Sequence, residues 1–390
     1  MKIGIFSIIA AISCALPLYG APVPGVNVSV RNVAPFALPG HVVEIDGTHI
    51  LPRTGRDFTV TATDGSQLPS QLTHDNKILV RTDLPAGSST EFIISPAKAA
   101  GQSLLTDTIC VAQIRPDKQD DFAWENDHGG YRLYGPVYRR GGGKVSGYDI
   151  WTKSVPYPTL KQRYDDHAAY GMSYHKDFGS GMDVYTVGRT LGAGMNALID
   201  NDTICYPCAY ESCEFLDNGP LRVTAKVTCY PETIGDDKNV VETRIITLDA
   251  GSWLNKTTVS YDGLTKPHPL TTGIVVHKQN KKAYAIDPQK RYFAYVDLTD
   301  NPANGNGAIF IGVVNPTLPD SITYVPLTPE VGDAIGQVMT HSTYNPGEEY
   351  TYYWGSGWSK GGVKGMDAWR RSLTEQYQLL NQYPLEITIE

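Results

Sequence analysis

The sequence predicts a mostly β protein with a small N-terminal β-sandwich, a large two-layer antiparallel sandwich and one C-terminal helix. First, short segments in which apolar and polar residues alternate recur along the chain, as expected for half-buried strands. Second, 38 glycines and 26 prolines, together with Asp-Gly and Asn-Gly pairs, separate these segments with turns. Third, apolar residues recur clearly at helical spacing over one segment, residues 366–383.

The first 21 residues have the pattern of a signal peptide. Lys2 supplies a short positive start, residues 3–16 are apolar, and the small residues Gly20 and Ala21 follow. The apolar run is too short to span a membrane, and no later run approaches that length. We therefore expect a periplasmic or secreted protein without a transmembrane segment. A weak lipobox-like pattern before Cys14 leaves an outer-membrane lipoprotein as the alternative.

The 390 residues allow one large β domain or two domains. Residues 22–95 form the predicted N-terminal sandwich, because alternating segments such as FTVTATDG and KILVRTDL follow one another between turn residues. Residues 96–109 are interpreted as a linker. Residues 110–390 form the predicted large domain, and they contain the clusters of titratable residues described below. The N-terminal sandwich is therefore expected to be an accessory module.

Charge and composition narrow the class of partner. The net charge is −8 and there is no basic region, so nucleic acid is not an expected partner. The 24 tyrosines and 6 tryptophans supply flat amphipathic rings that can stack on sugar faces, although such rings are also common in strands. These observations favour a saccharide ligand and leave the oligomeric state open.

Export also determines how the cysteines are interpreted. Cys205 and Cys208 have the spacing of half a zinc site, but a second half is missing. A disulfide is the better expectation in an oxidising compartment. A predicted hairpin turn at residues 216–220 would bring Cys208 near Cys229. No cysteine is predicted to be catalytic.

The densest group of titratable residues lies between residues 164 and 197. Its candidate catalytic residues are Tyr174, His175, Asp177 and Asp183. Histidine transfers protons readily near neutral pH, and a nearby carboxylate can orient or assist it. The many glycines in this segment indicate loops and strand ends that can approach a ligand closely. A polar surface loop is the alternative interpretation for any single residue here.

Three other segments supply further candidates. We predict His277 as a catalytic residue and six residues as substrate-binding ones: Trp124, Arg132, Lys278, Trp354, Trp358 and Lys360. Arginine can hold a carboxylate with two hydrogen bonds, whereas tryptophan offers a stacking surface. The alternatives are a structural ion pair for Arg132, a solvated strand end for the His-Lys pair, and core packing for the tryptophan rings.

Metal and cofactor signals are weak. The spacing of Asp177 and Asp183 could supply oxygen ligands to calcium, but the alternating acidic pattern of an EF-hand loop is missing. The sequence has no phosphate-binding loop between a strand and a helix, and no nucleophile elbow. We therefore predict no cofactor and no metal site, with calcium as a minor alternative.

Four long motifs resemble the bacterial domain-of-unknown-function family 4861. They are FAWENDHGGYRLYGP, YHKDFGSGMDVYTVG, GIVVHK and YWGSGWSKGG. The resemblance extends over most of the chain. It implies an exported protein of the kind frequent in gut Bacteroidota, a galactose-mutarotase-like super-sandwich and a link to polysaccharide breakdown. It implies no catalytic residues, and the cysteines at 205–213 are not a recognised feature of the family.

Three functional hypotheses follow. The first is a lyase that acts on uronate-containing, pectin-like oligosaccharides, with Arg132, Lys278 or Lys360 neutralising the uronate, His175 or His277 as base, and Tyr174 as acid. The second is a sugar epimerase, mutarotase or glycoside hydrolase on the same fold, with His175 paired to Asp177 or Asp183. The third is a non-catalytic glycan-binding protein, which would need the aromatic rings but no clustered acids and histidines.

Overall fold

The computed structural model describes residues 25–97, 107–207 and 209–390. The predicted signal peptide, Cys14 and Cys208 lie outside the described residues. The strands of the described part are β1 (Val26–Arg31), β2 (Leu38–Asp46), β3 (Phe58–Ala62), β4 (Gln67–Leu68), β5 (Ser70–Leu72), β6 (Lys77–Leu84), β7 (Ser89–Pro96), β8 (Val111–Arg115), β9 (Asp121–Glu125), β10 (Gly129–Leu133), β11 (Ser146–Thr152), β12 (Arg189–Asp200), β13 (Thr203–Cys205), β14 (Tyr210–Asn218), β15 (Arg222–Cys229), β16 (Glu232–Ile234), β17 (Asp237–Asp249), β18 (Leu254–Asp262), β19 (His268–His277), β20 (Tyr284–Ile286), β21 (Tyr292–Asp297), β22 (Ile309–Val314), β23 (Ser321–Val331), β24 (Ala334–Tyr344), β25 (Tyr350–Trp358) and β26 (Glu386–Ile389). Its α-helices are α1 (Leu51–Thr54), α2 (Pro136–Arg140), α3 (Leu160–Tyr170) and α4 (Met366–Asn381).

The mostly β prediction is confirmed, with 51% of the described residues in strands and 13% in helices. The N-terminal part has a five-stranded sheet, β26-β1-β7-β3-β4, and a three-stranded sheet, β2-β6-β5, around an apolar core of its own. In β1 the valines at 26, 28 and 30 are buried while the residues between them are not, as the alternating sequence requires. The predicted boundary of 22–95 needs one correction, because the C-terminal strand β26 pairs with β1 and completes this module.

Two large sheets form the sandwich predicted for residues 110–390. The first has the order β23-β24-β19-β12-β11-β10-β9-β8, and β13 pairs with β12. The second has the order β14-β15-β17-β18-β25-β22-β21-β20, and β16 pairs with β17. The pairing is antiparallel throughout the described part except between β11 and β12, which run parallel. A large apolar core lies between the two sheets.

Aromatic rings on the inner side of the sandwich decide which side chains point outward. Tyr148 of β11 stacks on Trp354 of the second sheet with ring centroids 3.8 Å apart, and Tyr131 of β10 contacts the same ring. Because successive side chains in a strand point to opposite faces, Arg132 and Asp149 lie on the outer face of the first sheet. The two residues are opposite each other in the β10–β11 pair.

Each large sheet has a helix on its outer face. Helix α4 places Trp369 and Leu373 in an apolar cluster with the outward residues of β21 and β22. Helix α3 places Leu160 and Tyr164 against Trp151 on the first sheet. Helix α4 confirms the predicted C-terminal helix, apart from its last two residues. Helix α3 was not predicted, because its sequence, LKQRYDDHAAY, is mostly polar and has little amphipathic pattern.

The cysteines give a further correction. Cys110, Cys205, Cys213 and Cys229 are free, and Cys110 and Cys229 are buried. The hairpin predicted around residues 216–220 is present as β14 and β15, and it places Cys229 opposite Tyr210. Cys208, the expected partner of Cys229, lies outside the described residues, and Cys229 has a free thiol. Burial raises the pKa of that thiol to about 12, so it is a poor nucleophile.

Candidate functional site

The candidate site is centred on Arg132, on the outer face of the first large sheet. One guanidinium nitrogen, Nη2, donates to the carboxylate of Asp149 and, over 3.1 Å, to that of Asp183. A third carboxylate, that of Asp121, lies 4.0 Å from the other terminal nitrogen. All four side chains are at least nine-tenths buried. Three buried carboxyl groups therefore share one cation.

This excess of acid changes the protonation of the site. Burial is the largest cause, and it raises the pKa of Asp149 to about 7 even though Arg132 opposes the shift. Burial likewise raises the pKa values of Asp183 and Asp121 to about 6, and Arg132 again opposes both shifts. Neighbouring carboxylates add to each shift, because like charges disfavour ionisation. The site can therefore hold an exchangeable proton near neutral pH.

Aromatic side chains form the wall around these acids. Arg132 lies over the rings of Tyr134 and Trp151, at 5.0 and 5.5 Å from their centroids. Tyr164 of α3 and Tyr174 pack against Trp151 with centroid distances of 4.8 and 4.9 Å. Burial raises the pKa of the Tyr174 hydroxyl, so this group stays protonated and can act as a hydrogen-bond donor.

His175 is at the exposed rim of the site. Its side chain is 57% exposed, and its Nδ1 lies 2.7 Å from the backbone oxygen of Asp183 and 3.8 Å from the carboxylate of the same residue. The Tyr174 ring is beside it, with centroids 4.6 Å apart. The structure therefore brings Tyr174, His175 and Asp183 together, as the sequence predicted, and adds Arg132 to the group.

Asp177 has a different position from the one expected. Its carboxylate accepts hydrogen bonds from the backbone N–H groups of Gly179 and Gly181 at 2.8 and 2.9 Å. Gly181 has φ +111°, and a side chain at this position would meet the carbonyl of Thr152. Asp177 thus stabilises a tight turn in the covering loop, the segment of residues 171–188 that lies over the site. The predicted role of Asp177 as partner to His175 is therefore corrected to a structural one.

His277 belongs to a second acid–base pair beside the first. Its Nδ1 lies 2.5 Å from the carboxylate of Asp297 at the end of β21, and both side chains are almost fully buried. Burial lowers the pKa of His277, but the hydrogen bond and charge of Asp297 outweigh burial and raise it overall. Tyr185 lies edge-on to the His277 ring, and the charges of both Asp149 and Asp297 act on its hydroxyl. Tyr185 therefore contacts the His277 pair and lies within electrostatic range of Asp149.

The prediction that three tryptophans bind the substrate is wrong, because their rings are buried. Trp124 and Trp354 are fully buried between the large sheets, where their indole N–H groups donate to Asn255 and Thr257. Trp358 is 2% exposed and donates to the backbone of Asn306. Rings so enclosed cannot stack on a substrate, and core packing is the correct interpretation for all three.

The predicted lysines are not part of the Arg132 cluster either. Lys278 is exposed after the end of β19, where its backbone bonds to Asp333, and Lys360 lies over the outer side of the Trp358 ring. Sequence reasoning missed Asp121, Asp149, Tyr185 and Asp297. Asp149 carried a usable signal, because it is an acid placed between the buried residues Tyr148 and Ile150 in a strand.

The positions of Asp177 and Asp183 bear on the calcium site that their spacing suggested. Within the described ranges no group of three or more His, Cys, Asp or Glu side chains is placed to hold a metal ion. Asp177 binds the backbone of its own loop and Asp183 binds Arg132, so the pair considered for calcium does not converge on one point. Among the described helices, none is long and apolar enough to cross a membrane.

The fold and site together define a two-layer β-sandwich protein with a buried carboxyl–arginine centre. The chain belongs to the family described as Domain of unknown function (DUF4861), whose model matches residues 30–387. It is 25% identical over 286 residues to Uncharacterized protein P7 of Formosa agariphila. The matched region covers 69% of this chain and 71% of that protein.

Two solved structures were also found to be similar. A protein in glycosyl hydrolase family 38 from Enterococcus faecalis gives a TM-score of 0.49 at 8% identity, over 94% of this chain and 47% of that one. An α-mannosidase from Enterococcus faecalis V583 gives 0.47 at 9% identity, over 94% and 46%. The chain thus spans about half the length of these two structures.

Proposed function

We propose that this protein is an exported enzyme of polysaccharide breakdown that carries out acid–base chemistry on a saccharide at the Arg132 centre. The observation that carries the proposal is the sharing of one guanidinium by three buried carboxyl groups. Their raised pKa values allow an acid and a base to coexist near neutral pH. A core ion pair needs one carboxylate for one arginine, and two further buried acids only add cost.

The two carboxyl groups on Arg132 Nη2 have distinguishable roles in this proposal. Burial raises the pKa of Asp149, so in this proposal it keeps its proton and is the general acid that gives this proton to the departing or ring oxygen of the sugar. Asp183, which accepts from the same guanidinium nitrogen, is then the base or the stabilising carboxylate. Arg132 holds both and limits their motion. The covering loop at residues 171–188 must move to admit substrate, because Asp149 is fully buried.

The charge of the centre favours hydrolysis or epimerisation over elimination beside a uronate. The Arg132 guanidinium is already bound to acids that outnumber it, so a substrate carboxylate at this point would be repelled. We therefore place the predicted lyase second. The lyase stays as the second candidate because of the residues at the rim of the site. His175 and Tyr174 are adjacent there, and Lys118 lies 5.4 Å from the centroid of the Tyr174 ring, where it could pair with the carboxylate of a uronate.

Asp149→Asn is the main test of the proposal. The variant keeps the size of the side chain but cannot donate an acidic proton, so turnover is expected to fall about 10²–10⁴-fold. Wild type and variant are incubated with neutral and acidic oligosaccharides, and products are analysed by mass. Asp165→Asn on the exposed side of α3 is the matched control. Full turnover by Asp149→Asn contradicts the proposal, and binding without any product favours a glycan-binding protein.

His175→Ala tests the lyase. If His175 is the base, this variant loses turnover about 10²–10⁴-fold and no longer forms an unsaturated uronate, which is followed by its ultraviolet absorbance. Its thermal unfolding is expected to stay unchanged, because the side chain is largely exposed. Normal formation of the unsaturated product by His175→Ala would remove this residue from the mechanism.

Export is part of the proposal and has its own measurement. Removal of about the first 21 residues would give a mature periplasmic or secreted protein, as the signal-peptide pattern suggests. Mass spectrometry of the protein from the native cell reports the cleavage. A diacylglyceryl mass on Cys14 would favour the lipoprotein, whereas an intact Met1 would contradict export by this route.

A further inference from the structure

A cavity beside the carboxyl centre has no part in the chemistry proposed above. It has a volume of about 310 Å³ and lies between α3 and the covering loop. This is at the small end of the range for ligand pockets, roughly 300–1,000 Å³. Tyr174 lines the cavity and also packs against Trp151 at the Arg132 centre. A chain-like ligand could therefore contact both places at once, passing over Tyr174.

The rim of this cavity exposes large apolar side chains. Tyr157, Met172 and Phe178 line it with exposed fractions of 59%, 36% and 56%. Exposed rings beside a pocket are costly in water and typical of ligand contact, and aromatic rings suit the C–H face of a pyranose in particular. The rim thus offers stacking surfaces that the carboxyl centre does not have.

The floor of the cavity offers a buried donor without a partner. Arg163 is 9% exposed, and its terminal nitrogens donate to the backbone oxygens of Thr152 and Ser180. Its Nε is buried and has no hydrogen-bond partner among the described residues. A buried donor of this kind is costly unless a ligand oxygen completes it. The Arg163 guanidinium contributes a positive charge to the lining of the cavity.

The charge of the cavity is opposite to that of the centre. Arg163 and Lys176 supply two positive charges, and Asp166 is the acidic side chain in the lining. Lys176 also lies 5.5 Å from the centroid of the Phe178 ring, so cation and stacking surface are combined at the rim. An anionic group repelled from the carboxyl centre would be attracted to this cavity, which lies on the other side of the Tyr174 ring.

We infer that this cavity is a subsite for a negatively charged sugar unit, with its ring on Phe178 or Tyr157 and its oxyanion near Lys176 and the Arg163 guanidinium. The inference rests on the proposed function, because it assigns the acidic unit of the saccharide to a place next to the catalytic centre. A uronate carboxylate and a sulfate ester share the required chemistry. The enzyme would then act on the unit adjacent to the charged one.

Binding measurements test the subsite independently of turnover. Wild type, Phe178→Ala and Lys176→Gln are titrated calorimetrically with hexagalacturonate, with a sulfated hexasaccharide of carrageenan and with cellohexaose. Loss of the ring or of the cation should weaken binding of an anionic probe about 3- to 10-fold, and loss of the cation should leave binding of cellohexaose unchanged. The anionic probe that responds identifies the source of the oxyanion. Lys161→Gln, a lysine on α3 outside the cavity, is the control and should bind like wild type.

The outcomes separate the subsite from the catalytic proposal. Equal affinities of wild type, Phe178→Ala and Lys176→Gln for every probe overturn the subsite, and so does the absence of anionic-glycan binding by the wild type. Asp149→Asn should keep the affinity of the wild type for the anionic probes. Retained binding with normal turnover by Asp149→Asn would support the subsite and contradict the catalytic proposal.

Discussion

The two large sheets of this sandwich are covered in opposite ways. On the second sheet, α4 buries Trp369 and Leu373 against the apolar side chains of β21 and β22. On the first sheet, α3 and the loop after it cover Arg132, Asp149 and neighbouring acids. Both faces exclude water, but the face under α3 encloses a cluster of buried carboxyl groups around one arginine, whereas the cluster under α4 is apolar.

The two faces differ in whether stability alone explains their burial. Apolar burial stabilises by about 25 cal/mol per Å², so the α4 face needs no further explanation. Burying a carboxyl group costs free energy, and a buried ion pair is often no better than apolar residues of similar size. A face that has more buried acids than cations is therefore a candidate functional site, because strongly raised pKa values concentrate at such sites.

The largest expected effect on stability comes from removing Arg132, the cation on the face that α3 covers. Arg132→Met keeps most of the side-chain volume but leaves Asp149 and Asp183 uncompensated. We expect the free energy of unfolding to fall by about 3–5 kcal/mol at pH 8. The loss should be smaller at pH 5, where these acids hold protons. Urea unfolding at both pH values measures it, with the exposed pair Arg31–Glu386 as control through Arg31→Met. A loss that is independent of pH would contradict the assignment.

A smaller effect is expected from a cavity in the apolar face. Leu373→Ala removes a side chain that is 1% exposed and touches Gly312 of β22. The free energy of unfolding should fall by about 3 kcal/mol, as is usual for a buried leucine. Turnover per folded molecule should stay normal, because α4 is on the sheet opposite the site. A selective loss of turnover would show that the two faces are coupled.

The pH dependence of stability sharpens the comparison through a change that is small for each pH unit. In the folded state burial raises the pKa of Asp149 to about 7, above the usual value of 3.8. The protonated carboxyl group therefore contributes its full stabilisation below about pH 4, and this contribution is lost as the pH rises to about 7. Between these values the wild type should lose about 1.4 kcal/mol more per pH unit than Asp149→Asn. Parallel stability curves for the two proteins would contradict a raised pKa of Asp149 in the folded state.

Local patterns in the sequence were sufficient for the architecture. Alternation in segments such as β1 and helical spacing around Trp369 and Leu373 predicted a mostly β chain with a C-terminal helix. These patterns suffice because strand and helix periodicities are properties of the chain itself. The pairing of β26 with β1 was not predictable in this way, since it joins segments more than 350 residues apart.

The site required more than local patterns. The sequence singled out Arg132, Tyr174, His175 and Asp183, which do lie together in the structure. It also singled out Trp124 and Trp354, whose rings are in the core, because a ring suited to sugars is equally suited to a buried strand.

The sequence by itself determined the alternating strands, the C-terminal helix and the presence of acids and histidines in the central segment. Only the tertiary structure decided that Asp149 and Asp183, from a strand and from a loop, meet on the guanidinium of Arg132. The physical reason is that a pKa depends on burial and on charges brought close by packing, and neither is recorded in the spacing of residues along the chain.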